Sequence, residues 1–301
     1  MRKVLKWIAI IIGSLLALAV LALAGIYTIT ENRMNKVYEL QVQAIQIPTD
    51  QESIERGKHL IATMGLCTEC HGENFAGQSS DDGPLVGRLS MPNLTSGKGG
   101  IGGEFSDIDW IRAIRHGVGP DGKSLKVMPS NLYNNLSDTD LGAIIAYIKQ
   151  VPPVDHELPK TTIGPMARVF VLLDPSLLPA ELIDHEAPRP TEIEPGITIA
   201  YGKYLATVCT VCHGQNLAGE EGAGGGLNLT PGGDLAHWTK EDFFKAVRTG
   251  VTPRGKTLDP TMMPWKNVGQ FNDEELEAIW LYLQSVPAVE TPEQNSQEGS
   301  Q

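Results

Sequence analysis

The longest apolar stretch runs from Trp7 to Tyr27, 21 positions without a charged side chain. At about 1.5 Å per residue a helix of that length spans roughly 30 Å, the hydrocarbon thickness of a bilayer. Arg2, Lys3 and Lys6 precede it, and a cationic flank stays on the cytoplasmic side. The pattern predicts a single-pass transmembrane helix over 1–28, anchoring the chain to the cytoplasmic membrane with its soluble part on the periplasmic or extracellular side. Ala22-Leu23-Ala24 has the small-residue spacing of a signal-peptide cleavage site. The apolar run is longer than a usual signal core, which favours an uncleaved anchor. A connector follows over 29–52, where Asn32 to Gln46 can extend the helix until Pro48 stops it.

Beyond the connector the polar and apolar pattern occurs twice. Ser53 to Leu60 reads as a helix, with its counterpart at Ala200 to Leu205. Gly72-Glu73-Asn74-Phe75-Ala76-Gly77 matches Gly214-Gln215-Asn216-Leu217-Ala218-Gly219. Asn93-Leu94-Thr95 matches Asn228-Leu229-Thr230, and Ala113 to Val118 matches Ala246 to Val251. Leu136 to Pro152 matches Phe271 to Pro287. That last segment is the clearest helix of each copy. Ser137-Asp138 and Asn272-Asp273 supply N-cap material with acids in the first turn. Leu141, Ile144, Ile145 and Ile148 give one apolar face; Leu276, Ile279, Trp280 and Leu283 give the other. The organisation is therefore a domain over 53–152, a proline-containing linker over 153–195, a second domain over 196–288 and a polar tail over 289–301, expected to be disordered. Within the linker, Thr162 to Leu178 is apolar enough to dock as an interdomain strap or to bind a partner.

Each copy holds one Cys-x-x-Cys-His run: Cys67, Cys70, His71 and Cys209, Cys212, His213. This is the attachment signature of a c-type haem. On a helix the positions i, i+3 and i+4 share a face. Two sulfurs can bond one porphyrin while the histidine turns a ring nitrogen to its iron. A redox dithiol needs no adjacent histidine. A zinc site would have to gather pairs 142 residues apart. The two runs use all four cysteines, so none is left for a structural disulfide. The expected cofactors are two covalently bound haem c groups. Each would give a domain of about 100 residues apolar surface that its own small core lacks.

The sixth iron position decides between carrying electrons and catalysis. Of eight methionines, Met128 and Met263 occupy the same register. Each follows Gly-Lys-Ser/Thr-Leu, precedes a proline, and lies eight residues before Leu136 or Phe271. Met262 is out of register by one, and Met91 aligns with Gly226. His71 with Met128 and His213 with Met263 are the candidate iron ligands. His59, His116, His156, His185 and His237 are not duplicated and are expected at the surface. Arg115 and Arg248 are duplicated and suit haem carboxylates, for which a guanidinium is the natural bidentate partner. Asn93 and Asn228 are placed to hold a loop at the haem edge. The run Gly222 to Gly226 lacks the ending of a phosphate loop and reads as a flexible loop.

The formal charge of −12 includes three cations of the N-terminal flank, leaving 21 basic against 36 acidic residues beyond it. An acidic body does not favour nucleic acid and suits a basic protein partner.

These strips resemble class I cytochrome c domains in tandem, and most closely the cytochrome c subunits of membrane-bound alcohol and gluconate dehydrogenases. The resemblance rests on Cys209 to Gly219, Asn228 to Pro231, Ala246 to Val251, Met263-Pro264-Trp265 and Leu276 to Leu283, most of them repeated in the first copy. It implies a mainly α fold, with the N-terminal helix of each domain crossing its last helix near Tyr147 or Tyr282. It implies a dihaem electron carrier without catalytic activity of its own. Such a carrier transfers electrons between a dehydrogenase or quinol-oxidising partner and a downstream cytochrome or oxidase, as a subunit of an oxidoreductase or respiratory complex. The chain departs from those subunits in having two haem motifs where three are typical, and an anchor at its N-terminus. The other class is a dihaem peroxidase, which needs one haem with an open sixth position; two Met-Pro candidates in register argue against it.

Overall fold

The computed structural model describes residues 2–65, 67–219 and 225–290. Its helices in chain order are α1 (Arg2–Met34), α2 (Gln51–Leu60), α3 (Cys67–His71), α4 (Gly83–Val86), α5 (Asp107–His116), α6 (Ser130–Tyr133), α7 (Asp138–Ile148), α8 (Pro165–Leu173), α9 (Ile199–Leu205), α10 (Thr210–His213), α11 (Lys240–Thr249), α12 (Trp265–Val268) and α13 (Asp273–Ser285). The expected mainly helical fold is present, with one small antiparallel sheet of β1 (Gln78–Asp81), β2 (Gly87–Met91) and β3 (Thr162–Ile163). The tail from Thr291 and residues Gly222 to Gly224 of the glycine run lie outside the described residues. The chain divides into two compact units. One comprises Met1–Gln46, Cys70–Leu136 and Ile148–Arg189; the other comprises Ile47–Glu69, Ser137–Tyr147 and Pro190–Gln301.

In the first unit, α1 is exposed along its apolar span and becomes buried only near its end, at Thr30 and Met34. There α8 packs beside it, and Met34, Val171 and Leu178 form a cluster flanked by Ile163 and Leu177. Arg33 pairs with Glu181 at 2.6 Å. Arg168 pairs with Glu31 at 2.8 Å, donates to the Thr30 hydroxyl at 3.0 Å and lies 4.4 Å over the Tyr27 ring. The apolar strap of the linker thus docks here, β3 on β2 and α8 on α1. The helix does not continue from Asn35 to Gln46. The Tyr38 N–H donates to the Gly122 carbonyl at 2.8 Å and Val37 pairs with Lys123, so strand-like pairing satisfies this backbone instead. The β1–β2 hairpin has no counterpart in the sequence pattern. Gln78 to Asp81 is exposed throughout and shows no apolar alternation. Helix α5 starts at a capping box of Ser106 and Asp109, stops at left-handed Gly117, and buries Trp110, Ile111 and Ile114.

The second unit contains the N-terminal and last helices of both repeats. A Cβ on Gly57 would lie 2.0 Å from the Ala143 carbonyl oxygen, and one on Gly202 would lie 1.8 Å from that of Ala278. Glycine is thus required where α2 meets α7 and where α9 meets α13. The crossings fall one turn before Tyr147 and Tyr282. The first copy has three more residues than the second between this glycine and its first cysteine. They are taken up as a π-helical turn, Ile61–Gly65, where the second copy has a 3₁₀ turn, Ala206–Cys209.

Next to the crossings the aligned pairs Arg56/Tyr201, His59/Tyr204 and Asp140/Glu275 form one polar cluster. Arg56 donates to Asp140 at 3.0 and 3.3 Å, to Glu275 at 2.9 Å and to the Tyr201 hydroxyl at 3.1 Å. The Tyr204 hydroxyl donates to Asp140 at 2.7 Å, and the His59 ring meets Glu275 at 2.7 Å. Burial pushes the pKa of Glu275 up, but the His59 bond, the Asn272 N–H and Arg56 outweigh it, leaving the net value below 4.5. Burial pushes the Tyr201 hydroxyl up to about 12, so it remains a donor at neutral pH.

Two outcomes are expected. Gly202→Ala should lower unfolding free energy by about 3 kcal/mol, since the added carbon overlaps backbone that cannot rotate away. Gly103→Ala, with nothing nearer than 3.8 Å, should be nearly neutral in the same thermal unfolding series. Glu275 has a depressed folded-state pKa, so its contribution is present above 4.5 and is lost as pH falls through the folded value. Glu275→Gln should therefore cost about 2 kcal/mol at pH 7. Its deficit against the parent protein should shrink in denaturant titrations as the pH is lowered below 4.5.

Candidate haem sites

The first haem motif forms helix α3, and the second ends in α10. In each, the histidine ring is held by a backbone carbonyl further along the chain. His71 Nδ1 lies 2.8 Å from the Pro92 oxygen, and His213 Nδ1 lies 2.5 Å from the Leu227 oxygen. A carbonyl only accepts, so Nδ1 carries the proton and Nε2 keeps its lone pair. Burial pushes both imidazoles below 6.5, partly offset by these carbonyl bonds. Both rings are neutral at pH 7, which a metal-ligating histidine must be. A Cβ on Gly65 would lie 2.9 Å from Cys67 Sγ, and one on Gly226 would lie 2.5 Å from His213 Nδ1. These glycines leave room for the sulfur and the ring.

The four cysteines form no disulfide. Burial, and then the neighbouring Cys212, push the Cys209 thiol up to about 12. Redox dithiols work with lowered values, so this site is unlike theirs. Among the described residues no three His, Cys, Asp or Glu side chains converge as a metal cage. Neutral histidines that keep an Nε2 lone pair, beside thiols outside any disulfide in a Cys-x-x-Cys spacing, fit a covalently attached haem.

The loops after the motifs are conformational copies. Gly72, Phe75 and Gly77 have φ of 77°, 57° and 76°; Gly214, Leu217 and Gly219 have 76°, 59° and 89°. The Gly77 N–H donates to the His71 carbonyl at 2.8 Å, and Gly219 to that of His213 at 2.9 Å. Leu94 N–H donates to Phe75 and Leu229 N–H to Leu217, each at 2.8 Å. These bonds fix the strip whose preceding carbonyl, at Pro92 or Leu227, holds the ring. Asn93 and Asn228 lock that strip. Each side-chain oxygen accepts from the backbone of Thr95 or Thr230, while each amide donates to Val154 at 2.8 Å or Val289 at 2.6 Å. They thus hold a loop, as expected, by tying it to the chain beyond the last helix of the repeat.

Met128 and Met263 sit in matching turns. Pro129 has φ −79° and ψ 52°, and Pro264 has −75° and 57°, both close to an inverse γ-turn. The methionine carbonyl accepts from Ser130 at 2.8 Å or Trp265 at 2.7 Å. Both methionines are half-buried, whereas Met262 is 56% exposed. Arg115 donates to the Leu136 carbonyl at 2.8 Å. Arg248 donates to Gly269 at 2.9 Å, Phe271 at 3.2 Å and Asp273 at 2.6 Å. Each arginine thus ties its helix to the segment leading into the last helix.

The unduplicated histidines are not all at the surface. His116 is buried, with Nδ1 3.1 Å from that of His185. Burial, and then His185, hold it down at about 4. His59 is drawn into the Glu275 cluster, and His156 Nδ1 bonds the Ala76 carbonyl at 2.9 Å. His237 is exposed. The sequence reading missed the carbonyls of Pro92 and Leu227 and the space left by Gly226. The repeated strip around Asn93 and Asn228 was the available signal.

Residues 54–152 match the family described as cytochrome c, and 200–283 match cytochrome c oxidase, cbb3-type, subunit III. The chain is 29% identical over 261 residues to the fructose dehydrogenase cytochrome subunit of Gluconobacter japonicus, covering 78% of this chain and 53% of that protein. It is 25% identical over 282 residues to the cytochrome c subunit of the quinone alcohol dehydrogenase of Gluconacetobacter polyoxogenes, covering 80% and 57%. It is 26% identical over 271 residues to a diheme cytochrome c-type protein of Cereibacter sphaeroides, covering 78% and 86%. The chain spans little more than half the length of the two dehydrogenase subunits. With two matched domains, two repeated sites and these relatives, the chain is a tandem of two cytochrome c domains with two covalently bound haem c groups.

Proposed function

We propose that Cys67, Cys70 and Cys209, Cys212 attach the two haem groups, and that His71 with Met128 and His213 with Met263 ligate their irons. The observation that carries this reading is the matched pair of Nδ1–carbonyl bonds, which leaves Nε2 of each ring as the ligand atom. Each iron, when bound, supplies reversible one-electron exchange. The protein's part is to hold both sides of the site still. Pro92 and Leu227 fix the ring planes, and burial keeps the imidazoles neutral. The Met-Pro turns restrict where each sulfur can go. Arg115 and Arg248 fasten the helix beside each site, and the same guanidinium groups are the proposed partners of the haem carboxylates.

The chain is assigned to the cytoplasmic membrane, held by α1 with Arg2, Lys3 and Lys6 inside and the haem domains outside. There it passes electrons from a dehydrogenase or quinol-oxidising partner to another cytochrome or an oxidase. The names of its relatives support a dehydrogenase partner. Co-purification from detergent-solubilised membranes identifies that partner; isolation of the chain alone, at native expression, would count against subunit status.

Ligation is tested on the isolated dihaem protein. Met128→Ala and Met263→Ala should each remove about half of the methionine-to-iron charge-transfer absorption and lower one of the two midpoint potentials. Met262→Ala should leave both haems unchanged. Loss of the band in Met262→Ala instead would shift the assignment by one residue. A high-spin haem that turns over peroxide in the unmutated protein would replace the carrier reading with a peroxidase.

A further inference from the structure

Helix α8 carries an apolar stripe that nothing among the described residues covers. Met166, Phe170 and Leu173 are 47%, 53% and 72% exposed, and the spacing i, i+4, i+7 puts them on one helical face. The opposite side holds buried Val171 and half-buried Arg168, which face α1. Leu85, in α4 beside α8, is 60% exposed. A Cβ on Gly164, at the N-cap of α8, would meet the Leu85 carbonyl at 2.4 Å, so Leu85 lies at the N-terminal end of the stripe.

The contacts of α8 with α1 give the level of this stripe along the anchor. Arg168 reaches Tyr27, Thr30 and Glu31. Three residues on, the Val171 carbonyl accepts from Arg33, and the Val171 side chain packs with Met34. Helix α8 therefore climbs alongside α1, with its N-terminal end at the level of Tyr27. Tyr27 lies four residues before Glu31, the first charge after the span, and aromatic side chains mark a membrane–water boundary. Met166 and Leu85 sit at that boundary. Phe170 is one turn, about 5 Å, above it, within the thickness of the headgroup layer. An apolar edge at the level of that boundary, on a helix packed beside the span, fits lipid as its solvent.

We propose that the edge formed by Leu85, Met166 and Phe170 is a membrane-docking surface that rests in the headgroup and upper acyl region of the bilayer. It would be a second attachment beside the anchor, holding the first unit against the lipid rather than leaving it to swing on α1. The proposal rests on the reading of α1 as a membrane anchor.

The test uses the full haem-loaded chain in vesicles of phosphatidylethanolamine and phosphatidylglycerol. The photoreactive residue p-benzoylphenylalanine replaces one residue at a time: Phe170, Leu16 within the span, or the exposed Glu104 as an aqueous reference. Adducts are identified by mass spectrometry after irradiation. All three positions are exposed, and the haem spectrum reports that each variant is folded. A phospholipid adduct at 170 severalfold above that at 104, alongside a lipid adduct at 16, is the expected result. A lipid adduct at 16 without one at 170 overturns the docking surface and leaves the anchor standing. A protein adduct at 170 overturns it in favour of a partner or a second copy. No lipid adduct at 16 removes the anchor reading, and the proposal with it.

Discussion

The site geometry depends on a side chain that is missing twice. At Gly57 and Gly202 the carbonyl of the partner helix occupies the space of a Cβ. Backbones that approach this closely cannot rotate or slide without collision, so each crossing fixes the helix in both angle and register. Each of these helices leads within ten residues to the first cysteine of a haem motif. The two copies leave the crossing by different routes, a π turn and a 3₁₀ turn. A three-residue difference in length is absorbed there, and the loops beyond it retain matching dihedrals.

That agreement is maintained at a cost. Phe75 and Leu217 are buried and left-handed, a conformation that costs a residue with a Cβ about 1–2 kcal/mol. Both copies retain it because the turn sets the backbone that holds the histidine. The next link is the bond from Phe75 or Leu217 to Leu94 or Leu229, two residues past the carbonyl that holds the ring. A less strained turn would start that strip elsewhere. The local strain is thus coupled to ring orientation through two or three hydrogen bonds, with no flexible side chain between them.

Much of this was legible in the sequence where the code is local. The N-cap at Asn272 appeared as predicted, and the in-register Met-Pro pairs fold as matching turns, because each is a property of neighbouring residues. What could not be read is held by backbone or by distant partners. The carbonyls of Pro92 and Leu227 leave no residue-type signature. The β1–β2 hairpin is exposed and lacks alternation. His116 looked like a surface residue because nothing nearby in the sequence reveals His185 as its partner. The helix end at Met34 was misjudged for the same reason. Asn35 to Gln46 has adequate helical propensity, but Gly122 and Lys123, far along the chain, compete for its backbone.

The polar cluster of the second unit bears on how a duplicated protein avoids pairing with itself. Its equivalent positions have diverged into complementary sets: Arg56 and His59 with Asp140 on one side, Tyr201 and Tyr204 with Glu275 on the other. Two second copies brought together the same way would enclose two Glu275 carboxylates and four phenols with no cation, which is costly away from water. Two first copies would bring two guanidinium groups together and lose the phenol donors. The unlike pair supplies one guanidinium and two phenols to the two carboxylates, so the differences at three aligned positions favour heterotypic over homotypic association. After duplication, partner choice is written into the chain as a lock whose halves no longer fit themselves.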